Sequence, residues 1–387
     1  MVLLKSSKGY RKGRTILNYK GNIIAKLLMA ATIALNHIIK VLFPKAQGTQ
    51  DIPHIFAQLH AFLDQLPTHD NTDATTHYLP LNDDLVGFFN SIPQEDILKF
   101  TQRLLDMYSE HVQKPIDHII FTVDLFQPKL NLHKCTNSVV TYNPKAKHNI
   151  HYHKQIHLKH IIDIIQLSIT LGVVAVQGKC YKQILGSTIG NQISPTICSI
   201  PILFREAEWK DKYQTWLQLH AKDLWYERYV DNRFAIIPKL IYTDQPLKEF
   251  SDPWFYRKPI QLETVPDTHF LGTNIDINNR QITFMLPTER WQIQPIHSAA
   301  SASKLLSSFR TRLHLLTSQT FPKTKCAEPT NQPMCLYRGQ GFSPSTLMHI
   351  AERHFRLKSI PNAHLLRSAA VYSQNRNCAA SSTWQTN

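Results

Sequence analysis

The chain has 387 residues, 43% of them hydrophobic, and Lys plus Arg outnumber Asp plus Glu by 43 to 28, a formal charge of +15. That length suits one large enzyme-like body or two to three subdomains, and the basic excess suits a polyanionic partner such as nucleic acid, or an anionic membrane surface. Six cysteines (Cys135, Cys180, Cys198, Cys326, Cys335, Cys378) are scattered without a CxxC pair, which argues against a zinc knuckle or disulfide framework and for a reducing compartment.

Residues 1–20 are basic and polar, with "RKGRTILNY" at 11–19. The apolar run Ile23–Leu35 follows them as in a signal peptide. Lys26 interrupts it, however, and about twenty residues precede it, so a buried helix is expected. Ile161–Val176 is broken by Asp163, Gln166 and Ser168 and falls short of the roughly 20 residues of a membrane span. The expectation is an intracellular protein, nuclear or cytoplasmic, not secreted and without a membrane partner.

Helical patterning covers about 23–40 and 53–65, followed by the turn-rich link "PTHDNTDATTH" at 67–77. Residues 79–89 read as a strand running into a turn. Residues 93–110 read as a helix with a proline at its start and acids in its first turn. Residues 127–160 are irregular and rich in Lys and His, and about 157–171 is helical. The strand-like segments "VVAVQ" and "YKQIL" follow, and Ser194–Pro195 opens a helix running to about 213. A hairpin at 226–237 precedes strands near 260–264, 269–276 and 281–286. Residues 302–316 and 344–357 are basic amphipathic helices. From about 373 the composition is that of disorder.

Two acidic segments stand out. "YLPLNDDLVGFF" offers Asp83 and Asp84, and "RYVDNRF" offers Asp231, about 147 residues after Asp84. Acids at strand ends are one way to hold the two ions of nucleotidyl transfer, about 3.5–4 Å apart. Aspartate is also common in turns, so residue types alone leave both readings open.

The order of several segments adds to this. "DDLVGFFNSIP" at 83–93, "GKCYKQILGSTIGNQISPTICSI" at 178–200 and "RYVDN" at 228–232 resemble motifs A, B and C of reverse transcriptases, in order. "HFLGTNID" at 269–276 resembles the primer-grip hairpin, and "RKGRTILNY" the end of a fingers motif. The Ile-Pro and Phe-Leu-Gly details are most similar to Penelope-like and telomerase-related reverse transcriptases. The resemblance covers about residues 10–360.

It implies an α+β right-hand polymerase: partial fingers (1–78), an antiparallel-sheet palm (79–286, with a fingers insertion at about 111–175), a helical thumb (287–372) and a disordered tail (373–387). It also implies RNA-directed DNA synthesis of a retroelement kind, with an RNA template, a DNA primer, deoxynucleoside triphosphates and Mg²⁺ or Mn²⁺. Asp84 and Asp231 would ligate metal. Asp84 is chosen over Asp83 because it lies the expected distance before Ile92-Pro93. Phe89 would sit under the sugar of the incoming nucleotide, Gln183, Gly186 and Gly190 would shape the nucleotide and template pocket, and Arg14 would meet the triphosphate. Lys258 would take the place of a proton-donating lysine.

Asn232 stands where a second acid is usual. It keeps one acceptor and gains two donors, so it is counted in the catalytic set as a weak ligand or as a group holding water or the primer end. Other signals are less specific. "HNIHYHKQIHLKH" at 148–160 lacks an HExxH or Cys/His quartet and reads as a solvated loop. Lys304, Arg310 and Arg312 would follow phosphates from the 302–316 helix, or face water. The chain begins almost at the second fingers motif, and no endonuclease, RNase H or integrase-like segment follows, so truncated fingers are expected. Two rivals remain: a decayed, weak or inactive reverse transcriptase-like nucleic-acid-binding protein, favoured by Asn232, and an RNA-dependent RNA polymerase, disfavoured by Phe89.

Overall fold

The computed structural model describes residues 2–4, 13–15, 24–44, 51–66, 77–125, 153–176, 178–265, 268–285, 296–298 and 300–361. Residues 67–76 of the link expected at 67–77, most of the histidine-rich stretch and the C-terminal tail lie outside the described residues.

Strands β1 (Val2–Leu4) and β2 (Gly13–Thr15) pair antiparallel. Helix α1 (Ala25–Leu42) is long and apolar enough to cross a membrane by length and composition. Its Leu28, Ala31, Ala34, Leu35 and Ile38 are fully buried in the main core, a 3.6-residue stripe. Helix α2 (Ile52–Gln65) starts where the Asp51 carboxylate accepts from the His54 amide at 3.2 Å. Strand β3 (Tyr78–Leu85) leads into the single-turn α3 (Phe88–Ser91) and the amphipathic α4 (Gln94–Val112), which has Glu95 and Asp96 in its first turn.

Strand β4 (Ile120–Asp124) pairs with β5 (His153–His157). Part of the stretch expected to be irregular is therefore a strand, supplied with its ladder by a partner some thirty residues away. Helix α5 (Ile161–Thr170), the hairpin β6 (Val173–Val176) and β7 (Lys179–Lys182), and α6 (Ser194–Lys212) follow. Next come the short α7 (Gln214–Leu219), β8 (Trp225–Tyr229), β9 (Asn232–Pro238), α8 (Gln245–Phe250) and β10 (Leu262–Thr264).

The central sheet is antiparallel in the order β10-β3-β9-β8. Its two faces follow from the period-2 alternation of strands. Leu85, Ala235, Ile237 and Leu262 enter the main core with α1, α4 and α6. Tyr78, Phe234 and Ile236 point the other way and pack on Ile55, Phe56, Leu59 and Leu63 of α2. That second layer is completed by the small sheet β11 (His269–Phe270), β12 (Thr273–Asp276) and β13 (Gln281–Phe284).

A bundle of α9 (Ala302–Gln319), α10 (Ala327–Gly339) and α11 (Pro344–Leu357) closes the described chain around Phe309, Leu313, Tyr337, Leu347 and Phe355. Helix α10 has no counterpart among the elements read from the sequence. Pro333 lies inside it, a residue that ordinarily ends a helix; here it is buried with Ala327, Thr330 and Tyr337 on the packed side of the helix.

Helices α6 and α8 are tied by Glu249, whose carboxylate accepts from Arg205 and Lys212 at 2.7 Å each and from the hydroxyl of Tyr213 at 2.8 Å. Partial burial alone would push this carboxyl up. The hydrogen bonds from Lys212, Arg205 and Tyr213 override it and hold the group down at about 2. A carboxyl depressed in the fold contributes stability that is present above its free value of 4.5 and lost as pH falls toward 2. Thermal unfolding followed across that window should therefore show a shallower acid decline for Glu249→Gln than for the native chain.

Candidate active site

The two acidic segments meet on adjacent strands. In the β3–β9 ladder Asp84 is the direct partner of Asn232 and Asp83 of Arg233. The amide of Leu85 donates to the carbonyl of Asp231 at 2.8 Å, so the residue after Asp84 is bonded to the backbone of Asp231. Alternation then separates the neighbouring acids. Asp83 faces the core, 5% exposed, and accepts from Arg233 Nη2 at 2.6 Å, Arg233 Nε at 3.2 Å and Thr264 Oγ1 at 3.0 Å. Asp84 is exposed on the opposite face, in a cross-strand row that runs Glu263, Asp84, Asn232, Tyr229.

Asp231 sits in the two-residue turn between β8 and β9. The first turn residue, Val230, has φ 58°, a conformation that hairpins of this length usually give to glycine and that strains a β-branched side chain. Both turn carbonyls are held. Arg228 Nη1 donates to Val230 at 2.9 Å, and the Leu85 amide holds Asp231.

Beneath the turn, Arg228 and Arg233 are cross-strand partners and each is 1% exposed. Like charges opposite one another on a sheet are unfavourable, and each here has its own carboxylate. Arg228 donates to Glu206 at 2.5 and 3.1 Å, and Arg233 to Asp83. Burial pulls the Arg228 guanidinium down, but Glu206 outweighs it and leaves its pKa raised. The Tyr256 hydroxyl donates to Glu206 at 2.8 Å, and burial and then Glu206 push its pKa up. The Arg233 guanidinium lies 3.9 Å from the Phe250 ring centroid, a cation–π contact in a dry setting.

The segments at 83–93 and 178–200 also dock. The amide of Gly186 donates to Ile92 and that of Ser187 to Phe89, both at 2.7 Å. Gln94 Nε2 donates to the carbonyls of Gln183 and Gly186 at 3.2 and 3.1 Å. Gln183 Nε2 donates to the carbonyl of Leu185 at 2.7 Å. Gly186 has φ 66°, and a Cβ there would fall 1.9 Å from the Phe89 carbonyl oxygen. Its lack of a side chain thus serves contact between two loops of this chain. Phe89 is half-buried, edge-on to Phe88 at 5.0 Å. Gly190 is exposed with φ 100°.

Arg14 lies on β2, and its side chain lies outside the described residues. Lys258 is exposed, 5.3 Å from the Trp254 ring centroid. Lys304 and Arg310 are exposed. Arg312 corrects the sequence expectation: it is 7% exposed, with its guanidinium 5.0 Å from the Tyr337 ring centroid inside the bundle. Helix periodicity turns it inward from Arg310, toward the face that Phe309 and Leu313 share. Among the described residues no group of three or more His, Cys, Asp or Glu forms a metal cage. Sequence reasoning passed over Arg228, Arg233, Glu206, Asn82 and Gln94. The signal for the first two was parity, because two arginines flank a two-residue turn at matching positions.

No protein-family model matches the chain, and no curated protein does. Solved structures do match, and the likeness is one of fold, a mixed helix and antiparallel-sheet arrangement shared with them. The neighbours are telomerases. A chain in the structure of Candida albicans telomerase, in complex with the TWJ fragment of telomeric RNA, aligns with a TM-score of 0.55 at 14% identity, over 88% of this chain and 50% of that one. Telomerase chains from Candida tropicalis, with the same kind of fragment and apo, align over 92% of this chain and 57% and 60% of theirs, at 12% and 11% identity and a TM-score of 0.49. The chain spans about half the length of the C. albicans structure it matches.

Two substitutions, with a third as a control, test this framework. Glu206→Gln leaves a buried guanidinium without its counter-charge and should cost about 3–5 kcal/mol in urea unfolding. By comparison Glu208→Gln, at a half-exposed pair with Arg257, should stay within about 1 kcal/mol. Gly186→Ala combines a left-handed backbone with a backbone clash and should lower stability by about 2–5 kcal/mol, checked by the same measurement.

Proposed function

We propose that the chain is an RNA-directed DNA polymerase of retroelement type, working inside the cell, in nucleus or cytoplasm, on an RNA template, a DNA primer and deoxynucleoside triphosphates. In this reading the central sheet and its helices form the palm, the N-terminal elements part of the fingers, and α9–α11 the thumb. The observation that supports it best is the backbone bond between Leu85 and Asp231. It seats two acids from segments 147 residues apart in sequence on adjoining strand ends, the framework that two-metal transfer requires.

The donor set suits such an ion. Mg²⁺ takes one or two protein carboxylates and draws its other ligands from water and substrate phosphates. Asp84 and Asp231 would hold Mg²⁺ or Mn²⁺, and the ion when bound supplies charge stabilisation at the transferring phosphate. The chain itself supplies placement. Arg228 and Leu85 fix the Asp231 turn, and the Gly186 contact fixes Phe89, whose ring would lie under the sugar. Gln183, at the same junction, would border the nucleotide. The basic charge would hold the nucleic acid through its phosphates.

Primer extension by the purified chain on an RNA template tests this directly. Extension should require a divalent ion and fall at least about a hundredfold in Asp84→Ala and in Asp231→Ala, since a unit charge at about 4 Å is worth roughly 4 kcal/mol. Binding of primer–template should persist in both variants and weaken steeply with salt. Extension unchanged by either substitution would overturn the assignment. Salt-dependent binding without extension would indicate a nucleic-acid-binding protein.

A further inference from the structure

The position beside the turn acid has a feature that decay of a metal ligand does not explain. Asn232 shares a sheet face with Asn82 and Asp84, because residues 82 and 84 of β3 have the same parity and Asn232 pairs with Asp84. The Asn232 amide nitrogen donates to Asn82 Oδ1 at 3.2 Å and to the backbone carbonyl of Asp83 at 3.3 Å. Asn82 is itself 2% exposed, and its amide nitrogen donates to the carbonyl of His269, at the start of β11, at 2.9 Å.

The direction of this relay is fixed at both ends. The His269 and Asp83 carbonyls can only accept. The Asn82 nitrogen must therefore point toward His269, which turns its oxygen toward residue 232. Residue 232 then faces two acceptor oxygens and has to donate. Because carbonyl oxygens cannot donate, both amide orientations are set by their partners and not by an arbitrary choice of flip. An ionised aspartate at 232 has only acceptors to offer.

The relay runs beside an apolar contact with the same reach. Phe234, two residues after Asn232 on the same face, stacks on Phe270 of β11 with ring centroids 5.3 Å apart. Strand β11 is thus joined to the sheet through the Phe234–Phe270 contact and through the Asn232–Asn82–His269 chain.

We infer that Asn232 is a positioning residue whose side-chain amide ties the Asp231 turn through Asn82 to β11, and that an acid at this position is excluded by the donor requirement rather than missing from the site. Calling 232 part of a site rests on the polymerase reading; the hydrogen-bond relay does not. The inference replaces the expectation that Asn232 ligates metal weakly.

Four full-length variants test it by thermal unfolding: Asn232→Asp, Asn232→Ala, Asn82→Ala and the double alanine. The two alanine variants should each lower Tm by a few degrees, and the double should lose clearly less than their sum, because both break one relay. Asn232→Asp should also be less stable than the native chain at pH 7.5. Added Mg²⁺ should stabilise Asn232→Asp no more than the native chain.

An aspartate variant at least as stable as the native chain at pH 7.5, and further stabilised by Mg²⁺, would overturn the inference, as would additive alanine effects. These readouts need no catalysis. Failure of the polymerase reading shows separately, as primer extension that is absent or indifferent to Asp231→Ala.

Discussion

Two buried arginines facing each other across one sheet face are the constraint around which the centre of this molecule is arranged. Arg228 and Arg233 are direct partners on β8 and β9. A buried guanidinium without a counter-charge is strongly destabilising, so each needs a carboxylate brought in from elsewhere. Glu206 comes from α6 and Asp83 from β3. These demands fix the height of α6 under the hairpin and the register of β3 beside it. They also account for the aromatic floor of Phe250, Phe255 and Tyr256, over which the Arg233 guanidinium is spread. Held from below in this way, the turn can keep Val230 in a conformation that an unsupported hairpin would relax.

The two faces of the sheet therefore divide the work between adjacent residues. Inward-facing Asp83, Arg228 and Arg233 are spent on internal pairing. Outward-facing Asp84 is exposed, and Asn232 belongs to the polar chain that reaches β11. A third region enters through backbone alone. The loop before α6 lies so close to Phe89 and Asn90 that only glycine fits at 186, so the start of α3 and that loop are packed backbone against backbone. Strand β3, the β8–β9 turn and this loop are each fixed by contacts that a change of one residue would break.

Much of this was legible in the sequence wherever a local rule applied. The strand running into a turn at 79–89, the Ser-Pro start of α6 and the length of the 226–237 hairpin all became structure with small shifts of boundary. What was not legible depended on tertiary partners. Helix α10, with Pro333 inside it, was not among the elements read from the sequence and forms through packing. Arg312 read as a surface cation because the aromatic ring that covers it, Tyr337, arrives from a later helix. The donor requirement at Asn232 is set by a carbonyl at His269 and an amide at Asn82, 37 residues after and 150 before it. No inspection of "RYVDN" alone reveals it.

The long separation of β3 and β9 has a consequence for how the chain is made. Closing a long loop is entropically mild, about 0.6 kcal/mol for each doubling of length, so distance itself is no obstacle to the finished sheet. Order of synthesis matters more. A chain emerging from the ribosome presents β3 about 150 residues before its partner exists, and β10, its other neighbour, appears later still. Until residue 238 has been made, β3 offers two open edges and the apolar side chains Leu79, Leu81 and Leu85 to whatever strand is nearby, the kind of exposure that invites mispairing and aggregation. The helices between β3 and β9, whose side chains share the finished core with Leu85 and Phe88, are the first partners the nascent chain has to cover that strand.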